Sequence, residues 1–284
     1  MKSYIIRDLE KHEIFNTIEV LLLSFGRLTY DGINEEVKLW EVLINNNIAK
    51  YLIAVEDGKI FGVGGVFIYQ KVASIGYMGV LEQYRGNGIG TDLFNKLMQI
   101  AVKSGCNTVI LYASNLGEPI YKKYGFRGMY STTLYHLKEK ISQIPIKNKN
   151  IENLKIVPDW IIDLDNKTIG FDRSNYLKLR AELGHKFIAV ENEGYAIISK
   201  VMSNIRIGPL IATNTDSALQ IIKKGISMGA NNIIIPKHAS LRLTMPILRQ
   251  IIGNKESPNL KMIYGDPITG QIENLYAIGT FARG

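Results

Sequence analysis

Val80-Leu81-Glu82-Gln83-Tyr84-Arg85-Gly86-Asn87-Gly88-Ile89-Gly90-Thr91 is the stretch that decides how this chain of 284 residues is read. A strand-like run, Ile75–Leu81, leads into it, and a helix-like run, Asp92–Ser104, follows. Gly86, Gly88 and Gly90 stand at alternate positions, so no Cβ keeps the backbone away from a ligand. The free N–H groups of a helix start point into such a turn, and the helix dipole favours negative charge there. Arg85 adds a permanent positive charge with a planar fork of donors. The physical reading is a diphosphate cradle; the alternative is a glycine-rich turn with no ligand. Two commoner phosphate loops fit worse. A P-loop ends in Gly-Lys-Ser/Thr, whereas Gly90 is followed by Thr91 and Asp92. A dinucleotide fingerprint needs a wider second glycine spacing and a later acid, and the next strand candidate, Thr108–Ala113, carries none.

The bulk of the chain sets limits. Its length suits one large domain or two smaller ones. No apolar run reaches the ~18 residues of a membrane span, and the N-terminus is charged too early for a signal peptide. Cys106 is the only cysteine, so no internal disulfide can form, and a cytoplasmic protein is expected. The net charge of +8 is uneven: +2 falls in residues 1–140 and +6 in the remainder. That suits an anionic ligand, but no basic run interleaved with aromatics marks a nucleic-acid surface. Neither a nucleic-acid partner nor a membrane is expected.

Working outward, Ser3–Asp8 reads as a strand and Lys11–Phe25 as a helix. Asn34 reads as the N-cap of a second helix through Ile44. Tyr51–Val55, Ile60–Tyr69 and Val72–Leu81 read as strands, the first two joined by an Asp57-Gly58 turn. After the glycine turn come helix Asp92–Ser104, strand Thr108–Ala113 and short helix Leu116–Tyr124. Phe126–Leu137 reads as a final pair of strands. Lys138–Asp159, with two prolines and no periodicity, reads as a linker.

Arg85-Gly86-Asn87-Gly88-Ile89-Gly90 between strand and helix resembles the acyl-CoA pyrophosphate loop of the GNAT superfamily of N-acetyltransferases. The segment Asn115-Leu116-Gly117-Glu118-Pro119-Ile120-Tyr121-Lys122-Lys123-Tyr124-Gly125-Phe126 resembles the second GNAT motif, and the element order matches a complete GNAT domain over about 140 residues. The resemblance implies acetyl-CoA as co-substrate and a primary amine of a small molecule or peptide as acceptor. It implies that the backbone of Met78, Gly79 and Val80 holds the pantetheine arm as an added strand. Arg85, Gly86, Asn87, Gly88, Ile89, Gly90 and Thr91 would take the pyrophosphate. Asn115 would bind the cofactor's amide, or cap the helix that follows. Tyr121 would protonate the departing thiolate, with Tyr124 as the decoy that the Gly125-Phe126 spacing disfavours. A phenol, with an ordinary pKa near 10, suits that role.

The second half repeats strand, strand, strand, helix, strand, helix, strand: Phe187–Val190, Tyr195–Val201, Asn204–Ala212, Asp216–Ser227, Asn232–Pro236, Leu241–Ile251 and Tyr276–Phe281, preceded by helix Asn175–Leu183. Runs such as Gly170–Leu177 and Tyr276–Gly284 resemble the C-terminal domain of tandem GNAT acetyltransferases. The expected fold is therefore α/β (α+β), with two tandem GNAT-like domains, each a mixed, mostly antiparallel sheet flanked by helices. Residues 1–140 form the catalytic unit, 141–158 a linker and 159–284 a degenerate copy. The copy lacks a glycine turn, having Thr213-Asn214-Thr215-Asp216 in its place, and Asp216 would repel a diphosphate.

A general base is not identifiable, because Val72–Leu81 carries no acid. Asp31, beside Tyr30, reads as a turn aspartate or as a partner for an acceptor ammonium. Asp172 and Arg173 read as a surface pair or as residues reaching an inter-domain cleft. The four histidines are scattered and no spacing suggests a metal. A sensor that binds acyl-CoA without catalysis is the rival expectation; Tyr121 argues against it, since a sensor needs no leaving-group acid.

Overall fold

The computed structural model describes residues 4–27, 31–138, 151–243 and 252–283. Strands β1 (Ile5–Asp8), β2 (Ala49–Glu56), β3 (Lys59–Tyr69) and β4 (Val72–Val80) run antiparallel in sequence order, and β5 (Thr108–Ala113) lies parallel to β4. Helices α1 (Ile14–Ser24) and α2 (Ile33–Asn45) precede β2. Helix α3 (Ile89–Lys103) links β4 to β5, and α4 (Glu118–Lys123) follows β5. Phe126–Leu137 does not form a pair of strands. It is one strand, β6 (Arg127–Leu137).

The partner of β6 comes from the other end of the chain. The second half contains β7 (Glu152–Leu154), α5 (Asp159–Ile169), α6 (Ser174–Glu182), β8 (Lys186–Val190), β9 (Gly194–Val201), β10 (Asn204–Ala212), α7 (Thr215–Ser227), β11 (Asn232–Pro236), α8 (Lys237–Arg242), β12 (Ile252–Lys255), β13 (Asn259–Gly265) and β14 (Leu275–Ala277). Strand β13 inserts antiparallel between β5 and β6. On its other edge β6 pairs antiparallel with β11. Each half thus completes the sheet of the other, and the described strands form one continuous sheet ordered β1-β2-β3-β4-β5-β13-β6-β11-β10-β9-β8-β7.

Sequence reading missed β12, β13 and α5. It placed a linker over 141–158, within which Glu152–Leu154 pair with β8. Of the helix expected over Leu241–Ile251, residues 244–251 lie outside the described residues. Two caps also differ. Helix α2 starts from left-handed Gly32 rather than from Asn34, and α3 starts at Ile89, three residues ahead of the expected Asp92.

The helices bury their apolar stripes on both sheet faces. On one face Leu93, Phe94, Leu97 and Ala101 of α3 pack on Leu52, Ala54, Ile75, Val109 and Leu111. On the same terms α7 covers the second half, with Ala218, Leu219 and Ile222 against Ile188, Ile198 and Ile207. The opposite face is shared. Ile18, Leu21, Trp40 and Leu43 of α1 and α2, and Ile161 and Leu177 of α5 and α6, belong to one core that spans both halves. A fully buried Leu, Ile or Phe side chain stabilises by about 1.5–3 kcal/mol, so a shared core ties the halves into one folding unit.

Candidate active site

The sheet opens at the motif that sequence reading singled out. β4 and β5 are paired only from Val72↔Thr108 to Ile75↔Leu111. Beyond that, β4 carries an extra residue. Gly65 faces Gly76 and Val63 faces Gly79, so Tyr77 and Met78 together oppose Gly64. Tyr77 sits in the left-handed region at φ 55°, within the bulge. The bulge turns β4 away from β5, and its edge from Gly76 to Val80 is left unpaired on that side. This edge includes Met78, Gly79 and Val80. On the side away from β3 this edge can meet an extended ligand, apart from the Val80 carbonyl, which Arg85 Nε–H occupies. Gly79 is glycine because α1 crosses here: a Cβ would lie 2.3 Å from Ser24 Oγ.

The glycine turn stands at the mouth of the opening. Gly86 and Gly88 have φ of 82° and 77°, and a Cβ on either would meet nothing within 4 Å. Glycine is needed there for backbone conformation, and the turn is open to solvent. The first helix bond is donated by Asp92 N–H to the Gly88 carbonyl, 3.0 Å. The amides of Gly88, Ile89, Gly90 and Thr91 therefore precede the ladder, as at any helix start. Ile89 anchors the turn in the core, and Tyr84 stacks on Phe61 with ring centroids 4.4 Å apart. Asn87 donates Nδ2–H to the Tyr84 carbonyl at 3.3 Å. Arg85 is partly occupied: it donates Nε–H to Val80 O (3.1 Å) and Nη2–H to Ser24 O (2.6 Å). It ties the end of α1 to the end of β4, which gives the arginine a structural duty the motif alone did not reveal.

Tyr121 lies on α4 with its ring 5.0 Å from Phe94 and 6.0 Å from Phe126. Burial raises its pKa, so the hydroxyl stays protonated through neutral pH. Tyr124 also packs on Phe94, at 4.9 Å. Asn115 is exposed in the turn before α4 and does not cap it. The N-cap of α4 is Gly117, with no side-chain cap; Ser114 holds the turn before it, its carbonyl accepting from Gly117 and Glu118 and its Oγ from Gly117 at 3.3 Å.

One wall of the opening was not foreseen. The turn over residues 280–283 lies across β4, with Ala282 against Gly76, where a Cβ would come within 2.4 Å of Ala282 Cα. The Ala282 carbonyl accepts from Ser74 (3.0 Å) and the Arg283 carbonyl from Tyr69 (2.8 Å). The Arg283 side chain donates to Glu36 and to the Tyr77 hydroxyl. Glu36 also accepts from Tyr77 O–H at 2.6 Å and Trp40 Nε1–H at 3.0 Å. Burial pushes Glu36 up, but Arg283 and the two other donors outweigh it, so its pKa is lowered and it is held ionised. No sequence spacing signals this group, because its members are up to 247 residues apart.

Asp31 does not stand free for an ammonium: Lys200 pairs with it at 2.9 Å, joining the halves. Tyr30 lies outside the described residues. Arg173 is buried and paired twice with Asp165, at 2.9 Å each, and Asp172 accepts from Gln70 of the first half at 2.8 Å. Both reach the seam between halves. Among the described residues no group of His, Cys, Asp and Glu could hold a metal, and no helix is long and apolar enough to cross a membrane.

The model of the acetyltransferase (GNAT) family matches residues 18–126, and that of an acetyltransferase (GNAT) domain matches residues 161–277. The uncharacterized N-acetyltransferase YitH of Bacillus subtilis is 30% identical over 197 residues, covering 65% of this chain and 68% of the relative. The chain belongs to the GNAT acetyltransferase family. The glucosamine 6-phosphate N-acetyltransferase of Trypanosoma brucei brucei is 29% identical over 133 residues, 43% of this chain and 88% of that protein. A crystal structure from Pyrococcus horikoshii, designated an acetyltransferase, superposes with a TM-score of 0.86 at 27% identity. It covers all of this chain and 97% of its own.

Within this GNAT pair the second opening is closed. β10 pairs with β11 only at Arg206↔Asn232 and Ile207↔Ile233. Beyond that point β14 lies in the gap, pairing with β10 at Leu210↔Ala277 and Ile211↔Leu275 and bridging to β11 through Ile234↔Ile278. The start of α7 is also taken, since Asn214 accepts from Ser217 N–H at 2.9 Å. The chain's own strand occupies in the second half the place left open in the first.

Proposed function

We propose that this protein is an acetyl-CoA-dependent N-acetyltransferase with one working site, in the first half. The observation that carries the reading is the contrast between the two openings: in one, β4 and β5 part beside an open glycine turn; in the other, β14 lies between β10 and β11. Residues 1–140 would form the catalytic unit, completed by β13 and the 280–283 turn of the second. Residues 159–284 would be a degenerate GNAT unit, reached through 141–158. The edge of Met78, Gly79 and Val80 would pair with the pantetheine arm. The turn from Arg85 to Thr91 would hold the pyrophosphate through backbone N–H groups, and Asn115 would meet the cofactor's amide. A neutral amine attacks the thioester carbonyl to form the C–N bond, the C–S bond breaks as Tyr121 gives its proton to the thiolate, and the amide nitrogen loses its extra proton to solvent, from which Tyr121 is reprotonated. The acceptor would be a primary amine of a small molecule or peptide; the relative named for glucosamine 6-phosphate makes an amino sugar phosphate one class to test. Its lone cysteine suits action in a reducing compartment such as the cytoplasm.

A second reading, an acyl-CoA sensor without turnover, has one observation in its favour. Glu36, the buried acid of the wall, is neutralised by Arg283 and cannot serve as a base. Two measurements separate the readings. Acetyl-CoA is expected to raise Tm, and a thiol-release screen over amino sugars, polyamines, amino acids and peptide N-termini is expected to find turnover. A Tm shift with no acceptor-dependent thiol release favours the sensor; no Tm shift sinks both.

A further inference from the structure

We propose that the cavity between Lys261 and Arg173, at the seam of the two halves, is a binding site for one small inorganic anion of halide size. The proposal is independent of the transferase reading. β13 carries Lys261 between Tyr112 of β5 and Tyr130 of β6, its partners on either side. Its ammonium lies 5.9 Å and 5.3 Å from the two ring centroids, and the residue is 5% exposed. Lys261, Arg173, Tyr112 and Phe171 help to line the cavity, with apolar side chains completing it. About 10 Å³ is free to the centre of a water-sized sphere, which suits one small occupant and excludes a substrate.

The charge at the seam does not balance. Arg173, Arg180, Arg206, Lys261 and Arg283 are buried there, and the buried acids beside them are Glu36 and Asp165. Those two are taken by Arg283 and Arg173. Arg180 donates to the Tyr176 hydroxyl at 2.6 Å and Arg206 to Asn232 at 2.9 Å. Among the described residues no carboxylate pairs with Lys261. What faces it are Tyr112, Tyr130, Arg173 and, beyond Tyr130, His238, whose ring centroid is 5.1 Å from that of Tyr130. Aromatic faces attract an ammonium, but more weakly than burial disfavours it. Burial, with Arg173 adding to it, pulls the Lys261 pKa down to about 8. An anion in the cavity supplies the missing counter-charge and keeps Lys261 protonated to higher pH. A tetrahedral oxyanion such as sulfate is too large for the space.

The test uses the full chain. Tm is measured at equal ionic strength in sodium chloride, bromide, sulfate and gluconate, and crystals are soaked in bromide. Halide is expected to raise Tm over gluconate by about 3 °C, as tenfold saturation would for a chain of this size. Sulfate should match gluconate. Lys261→Met removes a buried charge at similar volume, so it should fold and lose the halide response. Bromide should give an anomalous peak between Lys261 Nζ and Arg173. Bromide peaks confined to the outer surface would overturn the proposal. So would a halide response unchanged in Lys261→Met, or an equal response to sulfate.

Discussion

Replacing Glu36 by Ala should be the most revealing single change in the molecule. Its carboxylate accepts from Trp40, Tyr77 and Arg283, and Arg283 is 3% exposed. Removing the acid strands a buried guanidinium, which costs about 3–5 kcal/mol where such pairs have been broken. Against a typical stability of roughly 5–15 kcal/mol that is a large fraction. The loss should be far smaller when both charges go: Glu36→Leu with Arg283→Met should show a coupling of about 2–3 kcal/mol relative to the sum of the single changes. Urea unfolding followed by tryptophan fluorescence suits the measurement, because Trp40 is itself a donor to Glu36. The acid limb offers a second check. The folded pKa of Glu36 is below its unfolded value, so its contribution is present above the unfolded pKa and is lost as pH falls through the folded one. In Glu36→Ala that part of the acid sensitivity should vanish. A destabilisation under about 1 kcal/mol, or strict additivity in the double variant, would refute the account of Arg283 as a buried charge held by Glu36.

Gly88→Glu places a side chain at φ 77° and a negative charge in the turn; the acetyl-CoA Tm shift should disappear, which a thermal melt with and without acetyl-CoA will check. Tyr121→Phe should lower kcat about 100-fold with the KM for acetyl-CoA little changed, and unaltered kcat across the pH range would remove Tyr121 as the acid. In gluconate, stability should rise as pH goes from about 8 towards the ordinary lysine value, because the unfolded chain keeps the Lys261 proton that the folded chain has lost. Lys261→Met should lack that rise, and chloride should shrink it; urea unfolding at several pH values reads both. Residues 1–140 expressed alone lack β13, so β5 and β6 lose their shared neighbour and the fragment should aggregate, with co-expression of 151–284 restoring a soluble pair on gel filtration.

Local features were legible wherever the signal was local. The strand, glycine turn and helix around Arg85–Thr91 can be read from residue order, because turn conformation and helix starts depend on neighbours. The same holds for β5, where near-continuous apolar residues mark a buried strand, and for α7, whose apolar stripe repeats at helical spacing. The start of α4 shows the limit even at short range: Asn115 is a cap-forming residue, yet the backbone path makes Gly117 the N-cap and bonds the turn to Ser114 instead.

By itself the sequence determined that two similar folds follow one another, that the first has a glycine turn and that the second does not. Only the tertiary structure decided that the halves trade β6 and β13, that β14 fills the second opening, and that Arg283 returns to Glu36 and Tyr77 in the wall of the first. The physical reason is the range of the interactions. Propensity and periodicity act over a few residues, whereas strand partnership and the neutralisation of a buried charge are settled by whichever groups the folded chain brings into reach.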